Sequence, residues 1–163
     1  MIYKIEQNIV SHGLDFIIKD INDEEIFNVT EDISSISDVV NIFDTKGNNI
    51  ITANKNLDSP FECYDIYSEE EYLGSVKLQT MLFKHIFVIE DNDEEYRLKG
   101  DFHSLEFDIF KGDNLVATVS NRALPLSNTY IVDIKEDKTT KLLLSSVIII
   151  DKLLYDIGNN NQY

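Results

Sequence analysis

Cysteine is almost absent from this chain. The single thiol, Cys63, cannot form an internal disulfide, so no cystine scaffold is expected and a reducing, cytoplasmic compartment is the simplest reading. Proline and glycine are scarce, two and six in 163 residues, and no stretch has the composition of a disordered tail except the polar ending GNNNQY. One domain is therefore expected over residues 1–158, with 159–163 as a polar, disordered tail. The first residues, MIYKIEQNIVSHG, lack a basic segment followed by an apolar run, so no secretory signal is expected. Also missing are GxSxG, P-loop and GxGxxG patterns, which leaves serine-hydrolase chemistry and nucleotide binding without local support.

Positive charge is the other shortage. Fourteen basic residues face 30 acidic ones, a net charge of −16, and the acidic residues are spread along the whole chain. Lysine and arginine occur singly, as in YRLKGD and SNRALP. Such a surface repels phosphate backbones and anionic lipid heads, so nucleic acid is excluded as a partner and membrane lipid is disfavoured. The excess of Ile, Asn, Asp and Lys over Ala, Gly and Arg is that of an AT-rich bacterial genome.

What is present is a repeated design: an apolar-alternating run, a short polar turn, another such run. In LEFDIFKGDNLVATVSN, Phe107 and Ile109 alternate with Glu106 and Asp108, the two-residue period of a half-buried strand. The turn KGDN supplies Gly112-Asp113, residues that tolerate positive φ. VVNIFDTKGNNIITANKN repeats the design around Lys46 to Asn49. DFIIKDINDEEIFNVTED, YDIYSEEEYLGSVKLQ and HIFVIEDNDEEYRLKGD do so with acidic turns. With a first strand at Tyr3 to Gln7 and a last at Thr129 to Lys135, about twelve strands result, spanning residues 3–135 as an antiparallel meander. Closure into a barrel removes the edges of so long a meander. A barrel of about a dozen strands is too wide for its own side chains to fill, so something must plug it.

The plug is KLLLSSVIIIDKLLYD. Its uninterrupted apolar run, Leu142 to Ile150, is nine residues and ends at Asp151-Lys152, too short for a membrane span of about twenty. The β-branched run Val147 to Ile150 favours strand by propensity, but the segment does not alternate. On a helix over about 138–157, Leu142, Ile149 and Leu153 lie on one side and Leu143, Val147, Ile150 and Leu154 on another. A helix apolar all round is a buried one. Its flanking charges, Lys138 and Lys141 at the start and Asp156 at the finish, oppose the helix dipole, so it depends on its surroundings.

The ordered series Gly100-Asp101-Phe102, a hairpin ending in VATVSNR, the strand TYIVDI and an apolar stretch closing on Asp151 resembles the LURP-one-related family of the tubby C-terminal-like, phospholipid-scramblase-like superfamily. DFIIKDINDEEIFNV and MLFKHIFVIED fit the same pattern. The resemblance covers essentially the whole chain and implies a closed twelve-stranded barrel around a C-terminal hydrophobic helix. Within the superfamily, tubby proteins bind phosphoinositides through basic residues, and scramblases are associated with lipid and calcium. No basic pocket here matches residue by residue, and neither property carries over from fold alone.

Chemistry-bearing residues are few. His12, His85 and His103 have no metal-ligand spacing among themselves or with Cys63. Cys63, in FECYDIY, has no cationic neighbours and reads as a structural thiol. The acidic clusters Asn22 to Glu25, Ser68 to Glu71 and Asp91 to Glu95 offer oxygen ligands, but the last lacks the loop glycine and distant glutamate of a calcium-binding EF-hand and reads as a hairpin turn. Carboxylate pairs of glycosidase type are compatible with any surface so acidic. No catalytic, cofactor-binding or metal-ligating residue is assigned, and no cofactor is expected. The expected function is a non-enzymatic binding or scaffold module with a protein partner. Alternatives are peripheral lipid association, with or without a cation, and a carboxylate-dependent enzyme.

Overall fold

The structure, a computed structural model, describes all residues except 11–12, 33–37, 122–127 and 161–163. It contains a meander of twelve antiparallel strands that closes on itself. In order these are β1 (Ile2–Val10), β2 (Gly13–Lys19), β3 (Glu25–Asp32), β4 (Val39–Asp44), β5 (Asn49–Lys55) and β6 (Glu62–Ser68). The second half comprises β7 (Glu71–Met81), β8 (Lys84–Glu90), β9 (Glu95–Asp101), β10 (Glu106–Lys111), β11 (Asn114–Ser120) and β12 (Thr129–Ile134). Each strand pairs with its sequence neighbours, and β1 closes the barrel against β12, Tyr3 opposite Val132 and Ile5 opposite Tyr130. A 3-10 turn at Asp137–Thr139 leads into one helix, α1 (Thr140–Asn160).

The period-two alternation that predicts strands is what buries them. Ile109 in β10, Val119 in β11, and Tyr130, Val132 and Ile134 in β12 point inward and are buried, as are their counterparts around the wall. Inside, α1 is covered on every side: all residues from Leu142 to Leu153 are buried, polar ones included. The β-branched run at Val147 to Ile150 is helical despite its propensity. Preferences of a few tenths of a kcal/mol per residue lose to burial at roughly 1.5–3 kcal/mol per large side chain. Gly74 in β7 permits the close fit, since a Cβ there would lie 2.3 Å from the Glu90 carbonyl and 2.9 Å from Leu142.

The turns at the end where the helix enters, here the near mouth, are built by carboxylates. Asp20 Oδ1 accepts from the backbone N–H of Asn22 and Glu24, and Asp44 Oδ1 from those of Lys46 and Asn48. Asp91 Oδ1 accepts from those of Asp93 and Glu94. These are side-chain-closed turns, which explains how the Asp20 and Asp91 hairpins turn without glycine, whereas the Asp44 turn also uses Gly47 at a φ of +85°. In the KGDN turn, Gly112 alone takes a positive φ, +58°.

Candidate functional site: the far mouth of the barrel

The helix leaves at the opposite, far mouth, beside Glu31 of β3, Lys55 of β5, Glu62 of β6 and Leu78 of β7. Its last buried turn carries adjacent opposite charges. Lys152 sits 3 % exposed with Nζ 2.7 Å from Glu31 Oε1 on β3, 2.8 Å from Asp156 Oδ2 and 3.9 Å from Asp38 Oδ2. Its ammonium also lies 5.8 Å from the Tyr64 ring centroid, and the Tyr64 hydroxyl donates to Asp38 at 3.4 Å. Burial opposes the Lys152 charge, but the Asp156 and Glu31 carboxylates outweigh it and hold its pKa above the ordinary lysine value. A cavity of about 430 Å³ opens over this cluster, lined also by the Lys55–Glu62 ion pair and by Leu78, Leu153 and Ile157.

Asp151 is different. It is buried against β12, where the Tyr130 hydroxyl stands close enough to ease its charge, yet neither Asp151 Oδ2 nor the Tyr130 oxygen has a hydrogen-bond partner. Burial pushes the Asp151 carboxyl up to about 6 and the Tyr130 hydroxyl well above its usual value.

The rim of the far mouth is apolar where surfaces are usually polar. Leu82 and Phe83 form the two-residue turn between β7 and β8. They are 93 % and 103 % exposed, and both have positive φ, 45° and 69°. Non-glycine residues in that region cost roughly 1–2 kcal/mol each. Met81 beside them, and Leu57 and Phe61 on the β5–β6 loop, are exposed as well. A groove of about 480 Å³ lies between that loop and β7, floored by Leu78 and Thr80.

The structure brings two of the three histidines together: the His85 and His103 rings meet edge to face at 6.1 Å, on β8 and on the β9–β10 loop. His12 lies outside the described residues. Cys63 is a buried free thiol whose pKa burial pushes up, the opposite of activation. In the Asp91–Glu95 turn, burial alone would raise the Asp91 carboxyl. Hydrogen bonds from the Asp93 and Glu94 backbone, Tyr96 and Lys111 instead hold it at about 2. Among the described residues, no group of three or more His, Cys, Asp or Glu is arranged to hold a metal ion. Also among them, no helix is long and apolar enough to cross a membrane.

A model of the family described as LURP-one-related matches residues 1–151. The chain belongs to the LURP-one-related family. It is 24 % identical over 152 residues to the uncharacterized protein YxjI of Bacillus subtilis (strain 168), covering 93 % of each chain. In three dimensions it is similar to an Arabidopsis thaliana protein, AT5G01750, solved by X-ray methods. That likeness has a TM-score of 0.60 over 96 % of this chain and 91 % of the other, at 16 % identity. The plant structure supports the closed barrel expected from the strand pattern, and at that identity it speaks to fold alone.

The far-mouth residues were not singled out by sequence pattern. Lys152 reads there as an interruption of an apolar run, and its partners Glu31 and Asp38 lie more than a hundred residues upstream. The Leu82-Phe83 turn contains none of the Gly, Asn or Asp that signals a tight hairpin.

Proposed function

We propose that this LURP-one-related barrel is a non-enzymatic binding module that engages a protein partner through the apolar rim of its far mouth. The observation that carries the reading is the β7–β8 tip. Two large apolar side chains are held almost wholly in solvent by a turn whose positive φ angles favour glycine, asparagine or aspartate. Single exposed apolar residues are common. Here Met81, Leu82 and Phe83 share a rim with Leu57 and Phe61 and adjoin a groove, which is the character of an interaction patch. The barrel interior is occupied by α1, so ligand capacity lies at the mouths.

A photo-crosslinking residue at Phe83 in the full chain, expressed in cells, should yield a discrete polypeptide adduct that disappears on Leu82→Ser. The same probe at Ile21, exposed at the near mouth, should yield none. Absence of a polypeptide adduct at Phe83, or adducts with lipid alone together with co-sedimentation on phospholipid vesicles, overturns the reading in favour of bilayer association.

A further inference from the structure

The barrel wall is unevenly joined. β7 and β8 pair along their length, from Ser75 opposite Glu90 to Met81 opposite Lys84, and β9 pairs with β10 from Tyr96 to Asp101. Between β8 and β9 the register holds only Ile89 with Tyr96 and Glu90 with Glu95. Beyond that, towards the far mouth, the strands diverge. Gly100 draws β9 onto β10, where a Cβ would lie 2.4 Å from the Glu106 carbonyl and 2.6 Å from Phe107 Cα. Phe102 then plugs the inner side of the split, its ring 5.4 Å from Phe87 and 5.3 Å from Phe107.

The split leaves β8 with a free edge from Lys84 to Val88. Met81 and Lys84 flank a two-residue turn, so they exchange hydrogen bonds, and alternate residues direct their backbone groups the other way. His85 and Phe87 therefore present N–H and C=O to the split, as Ile89 does to Tyr96. Soluble proteins normally cover or blunt such an edge.

On the β7–β8 side of the split the charge is the reverse of the molecule's. No acidic residue occurs between Glu71 and Glu90. On the outer face the split is bordered by Lys84, Arg97 and Lys99, none in an ion pair among the described residues, whereas Lys4, Lys19, Lys55, Lys77, Lys111 and Lys135 each hold a carboxylate. In a chain of net charge −16, three cations outside any ion pair beside one backbone edge are a selective feature; of them Arg97 also lies over the Phe110 ring on β10, 5.1 Å from its centroid.

We infer that the β8 edge takes up an extended segment of the partner polypeptide as an added strand, its acidic side chains beside Lys84, Arg97 and Lys99 and its apolar side chains on the partly buried Phe102. This rests on the reading of the far rim as a partner-binding surface and names the partner's chemistry: a strand alternating apolar with acidic residues. Main-chain pairing supplies affinity and the alternate side chains supply selectivity. The overall negative charge does not forbid it, because at physiological salt the screening length is about 8 Å and the local cations dominate at contact. A second copy of this chain pairing through β8 would set Lys84 and Arg97 against like charges.

The probe is a short synthetic peptide alternating isoleucine with glutamate, titrated against the full chain and read by isothermal calorimetry and amide hydrogen exchange. It should bind, protect the His85 and Phe87 amides, and lose at least about tenfold in affinity when lysine replaces glutamate or when alternate amides are N-methylated. His85→Pro should abolish binding, since it removes an edge donor that no β7 ladder bond uses. Lys99→Glu, a surface change, should weaken it even if the proline variant fails to fold. No binding, equal affinity for the glutamate and lysine peptides, or indifference to N-methylation overturns the inference. If the Phe83 crosslinker captures its polypeptide equally well in folded His85→Pro, strand addition falls and the rim stands; if Phe83 captures none, both fall.

Discussion

Asp151→Asn should stabilise this protein at neutral pH, by an amount that follows from the burial of Asp151. In the folded chain its carboxyl is raised from an ordinary 3.8 to about 6. A shift of about two units, at 1.36 kcal/mol per unit, corresponds to roughly 3 kcal/mol of disfavoured charge once the group is ionised. Because the folded-state pKa lies above the unfolded one, the folded chain holds the extra proton between the two values. Stability from this group is therefore highest below about pH 4, falls as pH rises through about 6, and is level above that. Asparagine matches the shape, carries no charge and removes the dependence. Urea titrations of both proteins at several pH values between 4 and 8, followed by circular dichroism, should show near-equal stability at the acid end. The variant's advantage should grow to about 2–3 kcal/mol at pH 7.5. Taking the difference cancels groups common to both chains, including Asp91, whose depressed pKa acts only at far lower pH. A difference that stays flat with pH, or a variant less stable at pH 7.5 than its parent, would refute the reasoning.

Three further perturbations test the plug and its anchor. A chain ending before Lys141 loses the apolar surface that fills the barrel and should not fold; a monomeric, cooperatively unfolding truncation on gel filtration and calorimetry would contradict the plug. Ile149 has no exposed surface, so Ile149→Asp should destabilise by several kcal/mol, about the effective penalty of a lone buried charge, and leave little soluble protein at 37 °C. Lys152→Met removes the cation shared by Glu31, Asp38 and Asp156 and should cost about 3–5 kcal/mol at pH 7.5. A variant as stable as its parent in urea titrations at that pH would show that the lysine does not serve these carboxylates.

Strands and plug were legible in the sequence for one reason: both depend on local pattern. Phe107 and Ile109 alternate with charged neighbours because one face of β10 meets the core and the other meets water. Leu142 to Ile150 is apolar without period because every side of α1 meets the wall. The acidic clusters at Asn22 to Glu25 and Asp91 to Glu95 were legible as turns, since Asp20 and Asp91 close those loops over two to four residues. The far mouth was not legible, because its features are relations between distant segments. Nothing local marks Lys152 as buried, Asp151 as unpaired, or β9 as parting from β8. His85 and His103, eighteen residues apart, become neighbours only because the β9–β10 loop reaches β8.

The two lysines on α1 suggest why so apolar a helix keeps charge. Hydrophobic burial is non-directional, and a uniformly greasy cylinder in a greasy barrel could slide or rotate at little cost. Lys141 Nζ donates to Ser68 Oγ at 2.8 Å where β6 ends, at the near mouth. Lys152, about three turns on, is held by Glu31 at the far one. Buried ion pairs contribute little net stability against apolar substitutes, and their best-attested use is to fix register. Pinned at both mouths, α1 has one axial position, and it is the position that seats Leu142 against Gly74 and confronts Asp151 with Tyr130. The helix then sets the shape of the far mouth from within, so the rim that we assign to a partner is positioned by the same contacts that make the barrel solid.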